Sequence, residues 1–386
     1  MSYRLVSKPL AGPQAFRKLD DAAAQAQAAI LLQLGRQLRG DDSALTARAA
    51  NVRAAKMMSV LAEESEAEFP LPRLRAVTAR ISVQSTRGAL ARRYGEKAVH
   101  YVSGKDDPKR WAQAYADLGD ELYKAPTPET AAALMELCLS HPDELIRVAA
   151  ASAYFSLSAE PQTLIKILAQ GTRSPEPLVR DVAATALAHL APDHASLRPL
   201  TRYKPPQGGA EPAHTSTIVH GTFAASGTWW RPGGDFHTYL GTQVLNDLYS
   251  GGDRFGWSGG YSDSARAQAA ADLVRWVNAH NAMGLDLFGH SHGGNAMMLA
   301  THGGLSAGKL VLLSCPVHVH KYLPDFSHVS RVVSIRVKHD LVILADRGGQ
   351  RFHHPRIEEN VLPIWFNHSA THEPKVWKKH KILKMI

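Results

Sequence analysis

Apolar residues recur along this chain in two rhythms, and the change from one to the other happens once. Up to about residue 203 they return every three or four positions, in segments near 19–39, 42–65, 108–123 and 127–140 that are rich in Ala, Leu, Gln, Glu and Arg and show no β-branched alternation. That spacing predicts helices throughout, so the first half is expected to be all-α. One unit repeats within it: Pro142-Asp143-Glu144-Leu145-Ile146-Arg147 is matched by Pro175-Glu176-Pro177-Leu178-Val179-Arg180, an offset of 33 residues (Leu145 against Leu178). Ile146, Ala149, Ala150, Ala153 and Leu157 correspond to Val179, Val182, Ala183, Ala186 and Leu190. In both copies this is one apolar helix face.

A stretch with paired prolines and glycines, residues 204–213, separates this half from the next and predicts a linker. After it the runs become short and β-branched: 216–221, 254–258, 285–288, 309–314, 329–337 and 361–366. Helical patterns at 263–278, 295–301 and 373–381 separate several of them. Strands alternating with helices predict a parallel sheet covered on both faces. Pro363 cannot donate to a ladder, which places the last strand at an edge. The expected domains are therefore 1–203, all-α, and 214–386, α/β.

With 386 residues, 45% of them hydrophobic, the chain has enough apolar side chains for two cores. No apolar run reaches membrane-spanning length, and the first residues carry no apolar signal core, so a cytoplasmic protein is expected, with signal-independent export left open. Cys138 and Cys315 read as small buried hydrophobes. The net charge of +9 raises the question of an anionic partner, but its one dense cluster, Lys375 to Lys384, sits on the last helix. No nucleic-acid partner is expected.

The candidate chemistry centres on Gly289-His290-Ser291-His292-Gly293, which lies between an apolar strand and a good helix former. Strand, sharp turn and helix around Gly-x-Ser-x-Gly form a nucleophile elbow, in which small residues flank an exposed serine. Ser291 is the candidate nucleophile. Together with His220-Gly221-Thr222-Phe223 at the first strand, this makes the second half resemble the serine hydrolases of the α/β-hydrolase superfamily, nearest the compact lipase and esterase branch. The repeated helices of the first half resemble HEAT repeats.

The hydrolase resemblance implies an oxyanion hole from the amide of Thr222 or Phe223 together with that of His292. It also implies an acid and a histidine following in that order. Asp340, just past the strand ending at Val337, is the candidate acid, with Asp346 as the alternative. His368, after the last strand, is the candidate base, with His372 as the alternative. Asn367 stands where the family commonly has glycine. Trp229 and Trp230, in a glycine-rich loop beside the HG turn, either rim the substrate site or plug the fold. The pairs His290/His292 and His318/His320 lack the carboxylate spacing of a hydrolytic zinc centre, so neither metal nor cofactor is expected. The implied activity is hydrolysis of a small-molecule or lipid carboxylic ester through an acyl-serine. An acyltransferase on the same triad, or a non-catalytic adaptor offering the helical array to a protein partner, are the alternatives.

Overall fold

The computed structural model describes residues 21–40, 71–77, 81, 83–94, 108–155, 157, 158, 161–203 and 213–386. They fall into two compact units, Met1–Leu190 and Ala191–Ile386. The helix expected at 42–65 and nearly all of the expected linker lie outside the described residues.

The described part of the first unit is helical: α1 (Asp21–Arg39), α2 (Val83–Tyr94), α3 (Pro108–Lys124), α4 (Pro128–Cys138), α5 (Glu144–Phe155), α6 (Pro161–Gly171) and α7 (Pro177–Leu190). Helix α5 packs against α1, α4, α6 and α7. Its alanines allow this, because a Cβ placed on Gly35 of α1 would stand only 2.7 Å from the Cα of Ala153. Every member of the repeated apolar face is buried except the last, Leu190, which is half-buried. The repeat extends to polar bonds. Arg147 Nη1 donates to the carbonyls of His141 (2.6 Å) and Pro142 (2.9 Å), and Arg180 Nη1 donates to those of Ser174 (2.9 Å) and Pro175 (3.4 Å). Each arginine ties the first turn of its helix to the turn before it. Ser174 Oγ then donates to Glu144 Oε2 at 2.7 Å, joining one copy to the next.

In the second unit the order is a short 3-10 helix (Ala195–Thr201), β1 (Thr217–Val219), α8 (Asp235–Gln243), α9 (Asp263–Ala279), β2 (Leu287–His290), α10 (His292–His302), β3 (Ala307–Leu313), β4 (Val329–Lys338), α11 (Leu341–Asp346), β5 (Glu358–Trp365), a 3-10 turn (His368–His372) and α12 (Pro374–His380). The five strands form one sheet, parallel throughout, in the order β1-β2-β3-β4-β5. β5 is an edge, as Pro363 requires.

Residues of adjacent strands line up in rows across the sheet. Ile218, Phe288, Val311 and Val333 are in register and enter one core with Phe236, Tyr239 and Trp377 of α8 and α12. Leu287, Leu310 and Val332 form the neighbouring row and enter the other core, with Leu273 of α9 and Met297 of α10. Successive side chains point to opposite faces and both faces are covered, so the strands read as unbroken apolar runs.

Three expectations change. Residues 254–258 form no strand: the side chain of Trp257 donates to His220 O at 2.8 Å, and Gly256 lies against Tyr203, whose Oη would be 2.7 Å from a Cβ there. The segment supports the HG turn through side chains rather than a ladder. The stretch read as a glycine-rich loop ends in α8, whose Phe236, Tyr239 and Leu240 at i, i+3 and i+4 are buried. Residues 191–203 belong with the second unit, whereas the sequence boundary fell after 203.

Candidate functional site

Ser291 is the hinge between β2 and α10, with φ 53° and ψ −134°. A serine in this region is strained, and the surroundings hold it there. Its amide donates to Leu313 O at 2.8 Å, fixing the turn to β3. A Cβ on Gly293 would lie 2.2 Å from Val219 O, so only glycine lets α10 start this close to β1. A Cβ on Gly221 would meet Ser291 Cβ at 2.7 Å and its Oγ at 3.4 Å, which places the hydroxyl against the HG turn.

Phe223 loses its candidate role here. Its amide donates to Gly259 O at 3.0 Å and is therefore committed to holding the turn, at φ 60°. The amides of Thr222 and His292 have no hydrogen-bond partner among the described residues.

The candidate acid and base sit at the ends of adjacent strands. Phe366 N donates to Lys338 O at 2.9 Å, tying the end of β5 to that of β4. Asp340, buried at the start of α11, accepts His368 Nδ1–H on Oδ2 at 2.7 Å. Its Oδ1 accepts the amides of Val342 (3.0 Å) and Ile343 (3.2 Å). Gln350 clamps the backbone of Asp340 from both sides, accepting its N–H at 2.9 Å and donating to its carbonyl at 3.2 Å. Asn367 caps the turn that carries His368 by accepting Ser369 N at 3.1 Å, so the departure from glycine supplies a cap.

His372 takes a different place. Its ring stacks on Trp229 at 4.2 Å and meets His290 edge-on at 4.6 Å. Burial, with the charge of His368 adding to it, pushes its pKa down to about 3. No carboxylate faces it among the described residues, so it has no orienting acid. The two tryptophans separate: Trp230 is buried, packs on His220 at 4.6 Å and donates Nε1–H to Ala224 O at 3.0 Å. It is a plug, which removes it from the substrate-binding set. Trp229 is half-buried and sits on the ring cluster of His372 and His290.

His290 was given no role by the sequence. Its Nε2 bonds the carbonyl of His368 at 3.2 Å, linking the residue before the serine to the candidate base. Burial, reinforced by the nearby His368 and His372, holds its pKa well below the usual range, so it is the neutral donor in that bond.

Asp346, the alternative acid, lies in a second buried cluster and partners neither His368 nor His372. Its Oδ1 faces His292 Nε2 at 2.9 Å and accepts Tyr261 Oη–H at 2.7 Å, while Oδ2 faces His318 Nε2 at 2.7 Å. Burial opposes its charge, but the imidazoles of His292 and His318 outweigh that and hold the carboxyl well below the usual carboxylate range. Burial pushes His292 down to about 4 against the pull of Asp346. One member of each H-x-H pair thus converges on one carboxylate. The sequence dismissed these pairs for want of an acid at local spacing; the fold supplies one from 54 and 28 residues away.

No model of a known protein family matches the chain, and no curated protein is significantly similar to it. No described helix is long and apolar enough to cross a membrane.

Proposed function

We propose that the second unit is a serine hydrolase of the α/β-hydrolase type, with Ser291 as nucleophile, His368 as base and Asp340 as acid, acting on carboxylic esters. The observation that carries this reading is the buried His368–Asp340 pair, 2.7 Å between Nδ1 and Oδ2, bonded through the His368 carbonyl to His290, the residue before a serine held at φ 53° on a strand-to-helix turn. With Nδ1–H given to the carboxylate, Nε2 is the basic nitrogen. It takes the Ser291 proton as Oγ attacks the ester carbonyl, returns it to the leaving alcohol, and then activates water for deacylation. The amides of Thr222 and His292 receive the charge that develops on the carbonyl oxygen. Asp340 keeps the ring oriented, and its two backbone donors keep Asp340 in place. Trp229 provides apolar surface for the acyl group.

The first unit is proposed as a HEAT-like stack. The recurring arginine clamp of α5 and α7 supports that reading, and such stacks present surfaces to protein partners.

The test is covalent labelling. A fluorophosphonate should modify the full-length chain once, at Ser291, and a panel of esters graded in acyl length should be turned over. A chain that neither reacts nor hydrolyses any ester would leave the non-catalytic adaptor as the better account.

A further inference from the structure

The cluster around Asp346 lies outside the proposed triad, yet it has the composition of a ligand set. His292 begins α10, His318 follows β3 and Asp346 ends α11, so three separate elements bring their donors together. One atom from each, two imidazole nitrogens and a carboxylate oxygen, all lie within 4.8 Å of one another. His292 and Asp346 are buried, and His318 is a quarter exposed, which gives the cluster one side open to solvent. Tyr261 adds a fourth potential donor, its hydroxyl oxygen 2.7 Å from the carboxylate.

We propose that His292, His318 and Asp346 form a site for one divalent transition-metal ion of the zinc class, with a fourth position left for water or for Tyr261. Two imidazoles and a carboxylate are a set that zinc accepts, at about 2.0–2.2 Å from each donor. Tetrahedral coordination at that radius separates donors by a little over 3 Å, so the present contacts of 2.9 and 2.7 Å must open slightly while donors now up to 4.8 Å apart draw together. The loop position of His318 permits this movement.

The shell behind the ligands is equally suited. The side-chain amide of Asn295 has Nδ2 at 2.9 Å from His292 Nδ1 and Oδ1 at 3.3 Å from Cys315 Sγ. Turned over, the same amide accepts Nδ1–H with its oxygen, which leaves the Nε2 lone pair for the metal. A bound ion would fix the side chain of the residue that directly follows Ser291, and the backbone of that residue with it.

Cobalt(II) titration of the full-length chain, after chelator treatment and dialysis, tests the site directly. The wild type should bind one cobalt per chain with the visible ligand-field bands of a tetrahedral centre, lose those bands to one equivalent of zinc, and melt at a higher temperature with zinc than without. His318→Ala should weaken cobalt binding by more than about a hundredfold, since loss of an outer-shell partner alone costs about 10- to 100-fold. His320→Ala, an exposed histidine of the same loop, should bind as the wild type does. A wild type with neither ligand-field bands nor a zinc-dependent melting shift overturns the proposal and leaves a hydrogen-bonded cluster. Equal binding by His318→Ala and the wild type, or equal losses in the two histidine variants, also overturns it. Because these readouts are independent of ester turnover, the site stands or falls apart from the proposed hydrolase.

Discussion

The residues flanking Ser291 reach two different histidine–aspartate contacts, His290 bonding the carbonyl of His368 and His292 facing Asp346, and the two contacts are built differently. At Asp340 the carboxylate divides its oxygens between one imidazole and two backbone amides, so the histidine meets an acid that the main chain has already placed. At Asp346 the described partners are all side chains: two imidazoles and a phenol. A carboxylate gripped by amides orients one ring in one tautomer, whereas a carboxylate surrounded by side-chain donors resembles a socket whose occupant can change. The same functional groups at similar distances therefore suit a proton-transfer pair in one case and a ligand set in the other. What differs is who holds the acid.

The largest effects should come from the first pair. Ser291→Ala and His368→Ala should each lower ester turnover by about 10⁴- to 10⁶-fold, with the double variant scarcely worse, because members of a triad act as a unit. Additive losses measured in that cycle would separate the two residues. Asp340→Asn should cost about 10⁴-fold by favouring the wrong tautomer. Asp346→Asn should instead show in stability: urea unfolding should reveal a loss of about 1–3 kcal/mol, the scale for leaving a buried hydrogen-bonding group without its partner, with turnover of the folded protein retained to within about tenfold. If Asp346→Asn loses as much turnover as Asp340→Asn, the contrast between the two pairs fails.

The tryptophans offer a smaller version of the same contrast. Trp230→Ala should destabilise by about 3–5 kcal/mol, as expected for a core aromatic, without changing which acyl chains are preferred. Trp229→Ala should shift the chain-length preference at nearly unchanged stability, read from kcat/KM across the ester panel. His372→Ala should be mild in turnover, since its ring serves Trp229 rather than an acid.

Acid should act on the buried rings. His220 and His372 have pKa values pushed down to about 4 and about 3, in both cases chiefly by burial. In the unfolded chain an imidazole titrates near about 6.5. Between these limits the unfolded state binds protons that the folded state refuses. Stability is therefore complete above about pH 6.5 and falls as the pH drops toward 4, by up to about 1.4 kcal/mol per pH unit for each such ring. Urea midpoints measured from pH 7.5 to 4.5 should fall accordingly, and a flat profile would mean that these rings are not held neutral.

Much of this was legible in the residue order. Short β-branched apolar runs, the edge proline and the Gly-x-Ser-x-Gly turn are local signals, and four of the five strands lie within two residues of where those runs put them. The fifth, β5, starts three residues earlier, at Glu358, because its first residues pair with β4 although they are polar. Helix α8 was also legible, in Phe236, Tyr239 and Leu240, but the glycines before it hid the signal. The His368–Asp340 contact spans 28 residues, as does His318–Asp346. Spacing cannot separate the two; a resemblance to known hydrolases pointed to the first, and nothing pointed to the second. The commitment of the Phe223 amide to Gly259 was equally hidden, since it depends on a segment that has the composition of a strand but is used as a brace.

The strand order has a consequence for synthesis. Since each strand lies beside its predecessor in the chain, the sheet can be laid down one strand at a time as residues leave the ribosome, with no gap held open for a later insertion. Ser291 emerges early in this sequence and His368 only after β5, the strand that Pro363 closes to further neighbours. A growing chain thus carries its proposed nucleophile long before its proposed base, and the proposed chemistry stays silent until the last strand has docked.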